Sequence, residues 1–175
     1  MFKKEYIYVS LIIIMVISIA VFVGGQSSTI EIDYPEERLV LESEDFVINT
    51  AKEQFTVGQT DWDEAMNIFP DGKKLGGSMV YHPDELPVYL TFSEDENILI
   101  AVHIFGTGAA TSRGITVGDS PEKAVQQYGK NFVRFSEKDS DNKDYDMLYG
   151  ENDGNTVIFQ IRNAEISKII VQHTI

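Results

Sequence analysis

The sequence predicts an α+β protein in which an N-terminal transmembrane helix precedes two helix-plus-antiparallel-meander repeats that form a two-layer sandwich. Two observations carry this prediction: an apolar run near the N-terminus and an internal repeat in the rest of the chain. The 175 residues are 43% hydrophobic, which is enough for one such run and one domain with its own core. We assign residues 1–25 to a cytoplasmic tip and anchor, 26–45 to a stalk or first strand, 46–110 to a first repeat and 111–175 to a second.

An uncharged run extends from Tyr6 to Val23, and as a helix it would span about 27 Å, close to the thickness of a bilayer core. Lys3 and Lys4 precede it, so the positive-inside rule places the N-terminus in the cytoplasm and the following domain outside the cell. We expect a retained signal anchor, with the membrane as a partner, in a single-pass protein of the bacterial surface. A cleaved signal peptide is the alternative, because Val23-Gly24-Gly25 is a weak small-residue cleavage site.

The amino-acid composition argues against nucleic acid as a partner and excludes chemistry that depends on cysteine. The chain has 14 basic and 28 acidic residues, a formal net charge of -14, and no cysteine. An acidic field repels phosphate backbones, so we expect no nucleic-acid partner. The absence of cysteine excludes disulfides, thiol catalysis and lipid attachment to an N-terminal cysteine. A surface domain of this kind would be held together by its core alone.

The internal repeat consists of a short extended segment followed by a helical pattern. Phe55–Thr60 is echoed by Ile115–Ser120, an offset of 60 residues (115 - 55). The helical patterns that follow are Asp61–Phe69 and Pro121–Tyr128, in which apolar residues recur at i, i+3, i+4 and i+7. Each pattern predicts a short helix that buries one face.

Both copies carry the same signals at the turn into the helix. Thr60 and Ser120 are expected to cap the two helices, because their hydroxyls can accept a free backbone N–H of the first turn. Gly58 and Gly118 are interpreted as structural residues of the strand-to-helix turn rather than as ligand contacts.

Each helix is followed by a segment that predicts antiparallel strands. Val88–Phe105 reads as two strands around a turn at Glu94–Asn97, and Thr156–His173 repeats this plan with a turn at Asn163–Glu165. Alternation of apolar and polar residues indicates a sheet with one buried face. Between the copies, the glycine-rich Gly106–Gly114 is interpreted as a flexible loop.

The second turn also carries a resemblance to known proteins. Ile115–Gly129, preceded by Thr111-Ser-Arg-Gly114, resembles the Arg-Gly-Ile-x-Val-Gly-Asp-Ser signature of uncharacterised surface proteins from Gram-positive bacteria. The wider plan of residues 46–175 is similar to the β-lactamase-inhibitor-protein-like fold and to the outer-membrane assembly lipoproteins of the small-protein-A family. The resemblance implies the tandem architecture and contact with another protein. The enzyme-contacting loops of the inhibitor have no match here, and the lipoprotein cysteine is absent.

Candidate metal ligands lie in one acidic stretch. Asp139, Asp141, Asp144 and Asp146 offer hard oxygen atoms that could hold Ca²⁺ weakly, but the spacing departs from the EF-hand pattern. A solvated acidic loop is the favoured interpretation. No other motif indicates a metal or a cofactor.

The functional prediction is a protein-interaction module without catalytic activity, because no nucleophile elbow, phosphate-binding loop or paired histidine motif is present. Arg113 is the candidate interaction residue, since arginine is favoured at the energetic centres of interfaces. A structural ion pair with a nearby carboxylate is its alternative role. The alternative function is a domain that binds or senses a small ligand or Ca²⁺ between the repeats. A hydrolase is the third possibility and would require two facing carboxylates.

Overall fold

The computed structural model describes residues 29–137, 143–151 and 154–174. Within these ranges the chain forms two α-helices, one 3-10 helix and twelve strands. In chain order the elements are β1 (Ile30–Asp33), the 3-10 helix (Ser43–Phe46), β2 (Val47–Thr50), β3 (Gln54–Thr56), α1 (Trp62–Ile68), β4 (Gly72–Lys74), β5 (Val80–Pro83), β6 (Val88–Phe92), β7 (Leu99–Ile104), β8 (Ala109–Thr111), α2 (Pro121–Tyr128), β9 (Val133–Glu137), β10 (Tyr145–Tyr149), β11 (Thr156–Arg162) and β12 (Glu165–Gln172).

Nine strands form one antiparallel sheet in the order β1-β9-β10-β11-β12-β7-β6-β5-β4. Its centre is the pairing of β12 with β7, which runs from Ile169 opposite Ile104 to Gln172 opposite Ala101. A second sheet has three strands in the order β3-β2-β8. Side chains alternate between the two faces of a strand. We call the face of the large sheet that joins the core the inner face, and the opposite one the outer face.

The core lies against the inner face. It combines residues of β6, β7, β10, β11 and β12 with residues of both helices and of the three-stranded sheet. Tyr128 of α2 contacts Phe159 of β11 with ring centroids 5.2 Å apart, and Phe69 after α1 contacts Phe55 of β3 at 5.7 Å. Each such side chain contributes about 1.5–3 kcal/mol by its burial. Within the described ranges, both helices and the small sheet therefore occupy the inner face, and none of them covers the outer face.

Both predicted helices are confirmed, but one cap is not. Ser120 accepts a hydrogen bond from the first turn of α2, as predicted. The predicted cap at Thr60 is wrong, because its hydroxyl accepts the N–H of Thr56 at 2.9 Å. Asp61 takes the role instead and accepts the N–H of Glu64 at 2.8 Å. A carboxylate at this position satisfies a free donor of the first turn as well as a hydroxyl does.

The predicted fold class is wrong. The residues that the structure describes are mostly antiparallel β-sheet, with 43% in strands and 14% in helices, rather than two helix-plus-meander repeats in a two-layer α+β sandwich. The sequence pattern identified β6, β7, β11 and β12, but not the other strands of the same large sheet. The two helices are short, with seven and eight residues. The layer over the inner face therefore consists of these helices together with the three-stranded sheet.

The membrane prediction also requires correction. The part of the chain that the structure describes contains no helix long and apolar enough to cross a membrane. The predicted span Tyr6–Val23 lies outside the described residues. The transmembrane helix, the signal anchor and the single-pass surface location therefore have no support from the structure.

Candidate functional site

Three aromatic rings form a partly exposed cluster on the outer face. Tyr89 of β6 contacts Phe105, which follows β7, with ring centroids 4.8 Å apart, and His82 of β5 lies 5.1 Å from Tyr89 and 5.7 Å from Phe105. Tyr89 is 36% exposed and Phe105 is 39% exposed. The ring of His82 is fixed by a hydrogen bond between Nδ1 and the carbonyl oxygen of Val88 at 2.8 Å. We call these three residues the aromatic cluster.

A row of apolar side chains continues from the aromatic cluster across the outer face. Its members lie directly opposite one another on successive strands, in the order Tyr89, His103, Ile170, Ile158, Leu148 and Val133. Ile158 and Ile170 belong to this row and not to the inner-face core. The outer face is thus apolar along a line that crosses six strands, but Ile170, Ile158 and Val133 in this line are only 7%, 3% and 1% exposed. Exposed apolar surface on this face is therefore found at the aromatic cluster.

A polar network lies beside this row. Asp146 of β10 accepts a hydrogen bond from Nε2 of Gln160 at 3.1 Å and pairs with Nη1 of Arg162 at 2.8 Å. Asp146 and Gln160 are both buried. Lys168 of β12 lies opposite Gln160. Asp146 has partners at both of its oxygens, which is the condition under which a buried carboxylate is tolerated.

His103 stands in the apolar row and is neutral at pH 7. Burial, with a smaller contribution from the charge of Lys168, lowers the pKa of His103 from 6.5 to about 4. As the pH falls, the unfolded chain is therefore protonated at this residue before the folded protein is. The stability that His103 contributes is complete above pH 6.5 and is lost as the pH falls from 6.5 to 4.

Because of the lowered pKa of His103, the stability of the wild type should depend on pH more steeply than that of a His103→Gln variant. Between pH 6.5 and 4, we expect the wild type to lose about 2 kcal/mol more unfolding free energy than a His103→Gln variant. Urea unfolding at several pH values measures it, and the variant controls for the carboxylates that titrate in the same range. Parallel pH profiles for the two proteins would contradict the burial of a neutral His103.

A second concave feature lies at the start of α1, on the other side of the sheet. This open groove has a volume of about 520 Å³ and is lined by Asp61, Trp62, Asp63, Lys74, Met79, Glu96 and Asn97. Lys74 Nζ lies 5.3 Å from the centroid of the Trp62 ring. The carboxylates of the groove are therefore accompanied by a cation that belongs to the chain itself.

The predicted calcium ligands do not form a site among the described residues. Asp139 and Asp141 lie outside them. Asp144 accepts the N–H of Asn163 at 2.8 Å, and Asp146 belongs to the polar network. Within the described ranges, no group of three histidine, aspartate or glutamate side chains could hold a metal ion.

Arg113, the predicted interaction residue, makes its contacts within the chain. Its Nε and Nη2 atoms bind the two carboxylate oxygens of Asp45 at 2.6 and 2.8 Å, and Nη1 donates to the carbonyl oxygen of Gln127 at 2.9 Å. The guanidinium also lies 4.5 Å from the centroid of the Tyr128 ring. These hydrogen bonds with Asp45 raise the pKa of Arg113. The contacts match the structural ion pair that the sequence left open as its alternative role.

Gly58 and Gly118 occupy equivalent turns, as their structural interpretation requires. Their φ angles are +88° and +94°, a region that side chains disfavour. The N–H of Gly58 donates to Leu99 of β7 at 2.7 Å, and that of Gly118 donates to Ile166 of β12 at 2.8 Å. Each turn is thus attached to a strand of the large sheet.

The residues of the outer face were not identified as a site from the sequence. The available signal was alternation within strands that were correctly predicted: Tyr89 alternates with the apolar Val88 and Leu90, and Phe105 continues the outward positions of β7. Large aromatic residues at outward positions of a one-sided sheet are the feature that could have indicated a binding surface.

Comparison with protein-family models, with curated proteins and with solved structures gives no match for this chain. The resemblance noted for Ile115–Gly129 therefore stays a prediction. Any functional conclusion depends on the geometry of the residues themselves.

Proposed function

We propose that the chain is a protein-interaction module without catalytic activity, and that its outer face binds a partner protein. The observation that carries this proposal is the aromatic cluster, in which Tyr89 and Phe105 are more than one-third exposed and their rings are in contact. Contiguous apolar surface rimmed by polar groups is typical of binding sites in soluble proteins. Aromatic residues are also enriched at interfaces, where they supply large contact areas at a small entropic cost.

The surroundings of the cluster support a protein partner. The outer face is a broad surface that spans several strands, whereas small-molecule sites are usually concave. Exposed polar residues border the aromatic cluster, since Asp84 and Glu85 follow Pro83 directly, and an apolar centre with a polar rim is typical of interfaces.

Site-specific photo-crosslinking tests this proposal in cells of the source organism. A benzophenone amino acid replaces Tyr89 or Phe105, and in a control protein it replaces Val40, which is 61% exposed and precedes the 3-10 helix. We expect one discrete protein adduct from the two outer-face positions and none from Val40. Adducts that are absent, or equally frequent at Val40, would overturn the proposal. A ligand-dependent melting temperature without protein adducts would favour the small-ligand alternative.

Truncation of Tyr89 in the aromatic cluster should weaken binding of the partner by a measurable amount. A Tyr89→Ala variant should bind the crosslinked partner about 30-fold more weakly, a loss of about 2 kcal/mol, because aromatic residues at interface centres contribute on this scale. Its free energy of unfolding should change by less than about 1 kcal/mol, because the side chain is partly exposed. Calorimetry and urea unfolding measure the two quantities, and Val40→Ala is the control for both.

A further inference from the structure

Four buried apolar side chains lie on the outer face and do not belong to the inner-face core. They are Ala101 of β7, Val133 of β9, Ile158 of β11 and Ile170 of β12, and we call them the outer cluster. Their neighbours along β7, β11 and β12 belong to the inner-face core, and successive side chains of a strand point to opposite faces. Val133 lies opposite the outward Leu148. The outer face therefore carries apolar residues of its own that are shielded from water.

Strand β11 is buried on both of its faces. Every residue from Thr156 to Ile161 is buried, whereas a strand with one solvated face alternates between buried and exposed residues. Burial on both faces indicates a layer of protein on each side of the sheet. Within the described ranges, the two helices and the three-stranded sheet form the layer on the inner face, and no helix or strand forms one on the outer face. Because the burial is found in a single copy of the chain, a second copy is not needed to explain it.

The hydroxyl of Thr156 is an independent sign that this face is covered. The side chain points outward, since Val157 beside it belongs to the inner-face core, and yet it is only 4% exposed. Among the described residues, the hydroxyl has no hydrogen-bond partner. A buried hydroxyl without a partner is unfavourable, so we expect the covering layer to offer it a polar atom.

The apolar run Tyr6–Val23 has the length and the point of attachment that this layer requires. It precedes β1, which is the strand at one end of the large sheet and pairs with β9, the strand of Val133. Residues 24–29 link the run to β1, and they can extend up to about 20 Å, enough to turn from the edge onto the outer face. From Val133 to Tyr89 the apolar row measures about 24 Å at the usual strand spacing, and the run would extend about 27 Å as a helix.

We infer that the apolar run Tyr6–Val23 covers the outer face of the large sheet and shields the outer cluster from water. Burial along the row supports this arrangement, because it is almost complete at Val133, beside the attachment point, and decreases to 36% exposure at Tyr89. The run also contains Ser10 and Ser18, whose hydroxyls are of the kind that Thr156 requires. The aromatic cluster at the far end of the row stays accessible to a partner protein. The inference therefore adds to the proposed function without depending on it.

Thiol labelling of the full chain tests this inference, because the chain has no cysteine of its own. Ile158→Cys places one thiol under the proposed cover, and a water-soluble maleimide measures its accessibility in detergent-free buffer. Adding Ile13→Asp and Ile17→Asp, which put charges into the run, should increase the labelling rate at least about tenfold. Equally slow labelling with and without the two charges would overturn the inference, because the sheet alone would then shield Ile158.

Two control positions separate uncovering of the outer face from unfolding of the chain. Val157→Cys, on the opposite face of the same strand, should stay protected with and without the charges in the run. Val40→Cys should be labelled rapidly in both backgrounds, because Val40 is 61% exposed. Rapid labelling of Val157→Cys in the charged variant would mean that the charges unfold the chain, and the crosslinks described next then decide.

Photo-crosslinking identifies the covering segment in the otherwise unaltered chain. A benzophenone amino acid replaces Leu148, an outward and partly buried residue of the row, in an equal mixture of isotope-labelled and unlabelled chains. We expect mass spectrometry to find crosslinks to residues 6–23 of the same chain. Crosslinks that join labelled to unlabelled chains, or that never involve residues 6–23, would overturn the inference. Neither measurement involves the partner protein, so this failure would leave the proposed function standing.

Discussion

An Arg113→Ala variant should lose about 3–5 kcal/mol of unfolding free energy, because the substitution leaves the carboxylate of Asp45 buried without its partner. The side chain of Asp45 is only 3% exposed, and both of its oxygens bind the guanidinium. Asp45 also accepts the backbone N–H of Glu42 at 3.0 Å, which is too little to replace two charge-assisted hydrogen bonds. Urea unfolding of the purified proteins measures the difference.

The location of this ion pair explains the size of the effect. Asp45 lies in the 3-10 helix before β2, and Arg113 lies in the segment after β8 and reaches the carbonyl of Gln127 in α2. A single guanidinium thus connects the entry of the small sheet to the end of a helix. Its stacking against Tyr128 adds a contact that a lysine would not reproduce.

Two further variants distinguish the bidentate ion pair between Arg113 and Asp45 from a general effect of charge. Arg113→Lys keeps the charge but loses the bidentate geometry, so it should recover only part of the stability. Lys123→Ala breaks a less buried ion pair with Asp119 of similar length, 2.7 Å, in which the two side chains are 44% and 18% exposed, and it should cost less than about 1 kcal/mol. Equal losses in Arg113→Ala and Lys123→Ala would show that Asp45 is not held as the structure indicates.

The sequence was most informative where local chemistry determines structure. Helix α2 begins after Ser120, has Pro121 in its first turn and ends before Gly129, whose φ is +83°. Caps, proline and glycine act through neighbouring residues, so they can be read without knowledge of the fold. The turn between β11 and β12 could also be predicted from the local sequence, and Asn163 and Ala164 in this turn have positive φ angles.

Strand β10 shows why the rest of the sheet was missed. Asp146 belonged to a stretch interpreted as a solvated acidic loop, yet it lies within a strand and is buried. Its charge is compensated by Arg162 and Gln160 on the neighbouring strand β11. Compensation of this kind depends on residues 14 and 16 positions away, and no local pattern reveals it. The three-residue β8 was missed for a different reason, because the glycines on both sides of it indicated a loop.

The candidate site was unpredictable for a related reason. Alternation in β6 separates Tyr89 from the inward Val88 and Leu90, so its outward direction could be derived. Whether that outward face is covered depends on where the helices and the three-stranded sheet pack. They all contribute to the inner-face core, and this follows from the three-dimensional arrangement of distant segments. A binding surface on a sheet is therefore a property of the fold rather than of a motif.

The two equivalent glycine turns should respond very differently to the same substitution, and Gly58→Ala should be the more damaging by about 2 kcal/mol. Both residues have a φ near +90°, where a Cβ atom costs about 1–2 kcal/mol. A Cβ on Gly58 would lie 2.7 Å from Cγ of His173, whereas a Cβ on Gly118 would meet no atom within 4 Å. Gly58→Ala therefore combines backbone strain with a steric overlap of the kind that costs about 1–3 kcal/mol in packed interiors.

The imidazole of His173 cannot move away from Gly58 without loss. Its ring packs edge-on against Phe46 with centroids 4.9 Å apart, and its backbone N–H is fixed to the carbonyl oxygen of Ile100 at 3.0 Å. The decisive measurement is a double-mutant cycle in which His173→Ala is combined with each glycine substitution. Removing the ring should relieve most of the excess cost of Gly58→Ala and none of the cost of Gly118→Ala. If His173→Ala relieves neither substitution, the difference between the two turns does not arise from the packing of His173 against Gly58.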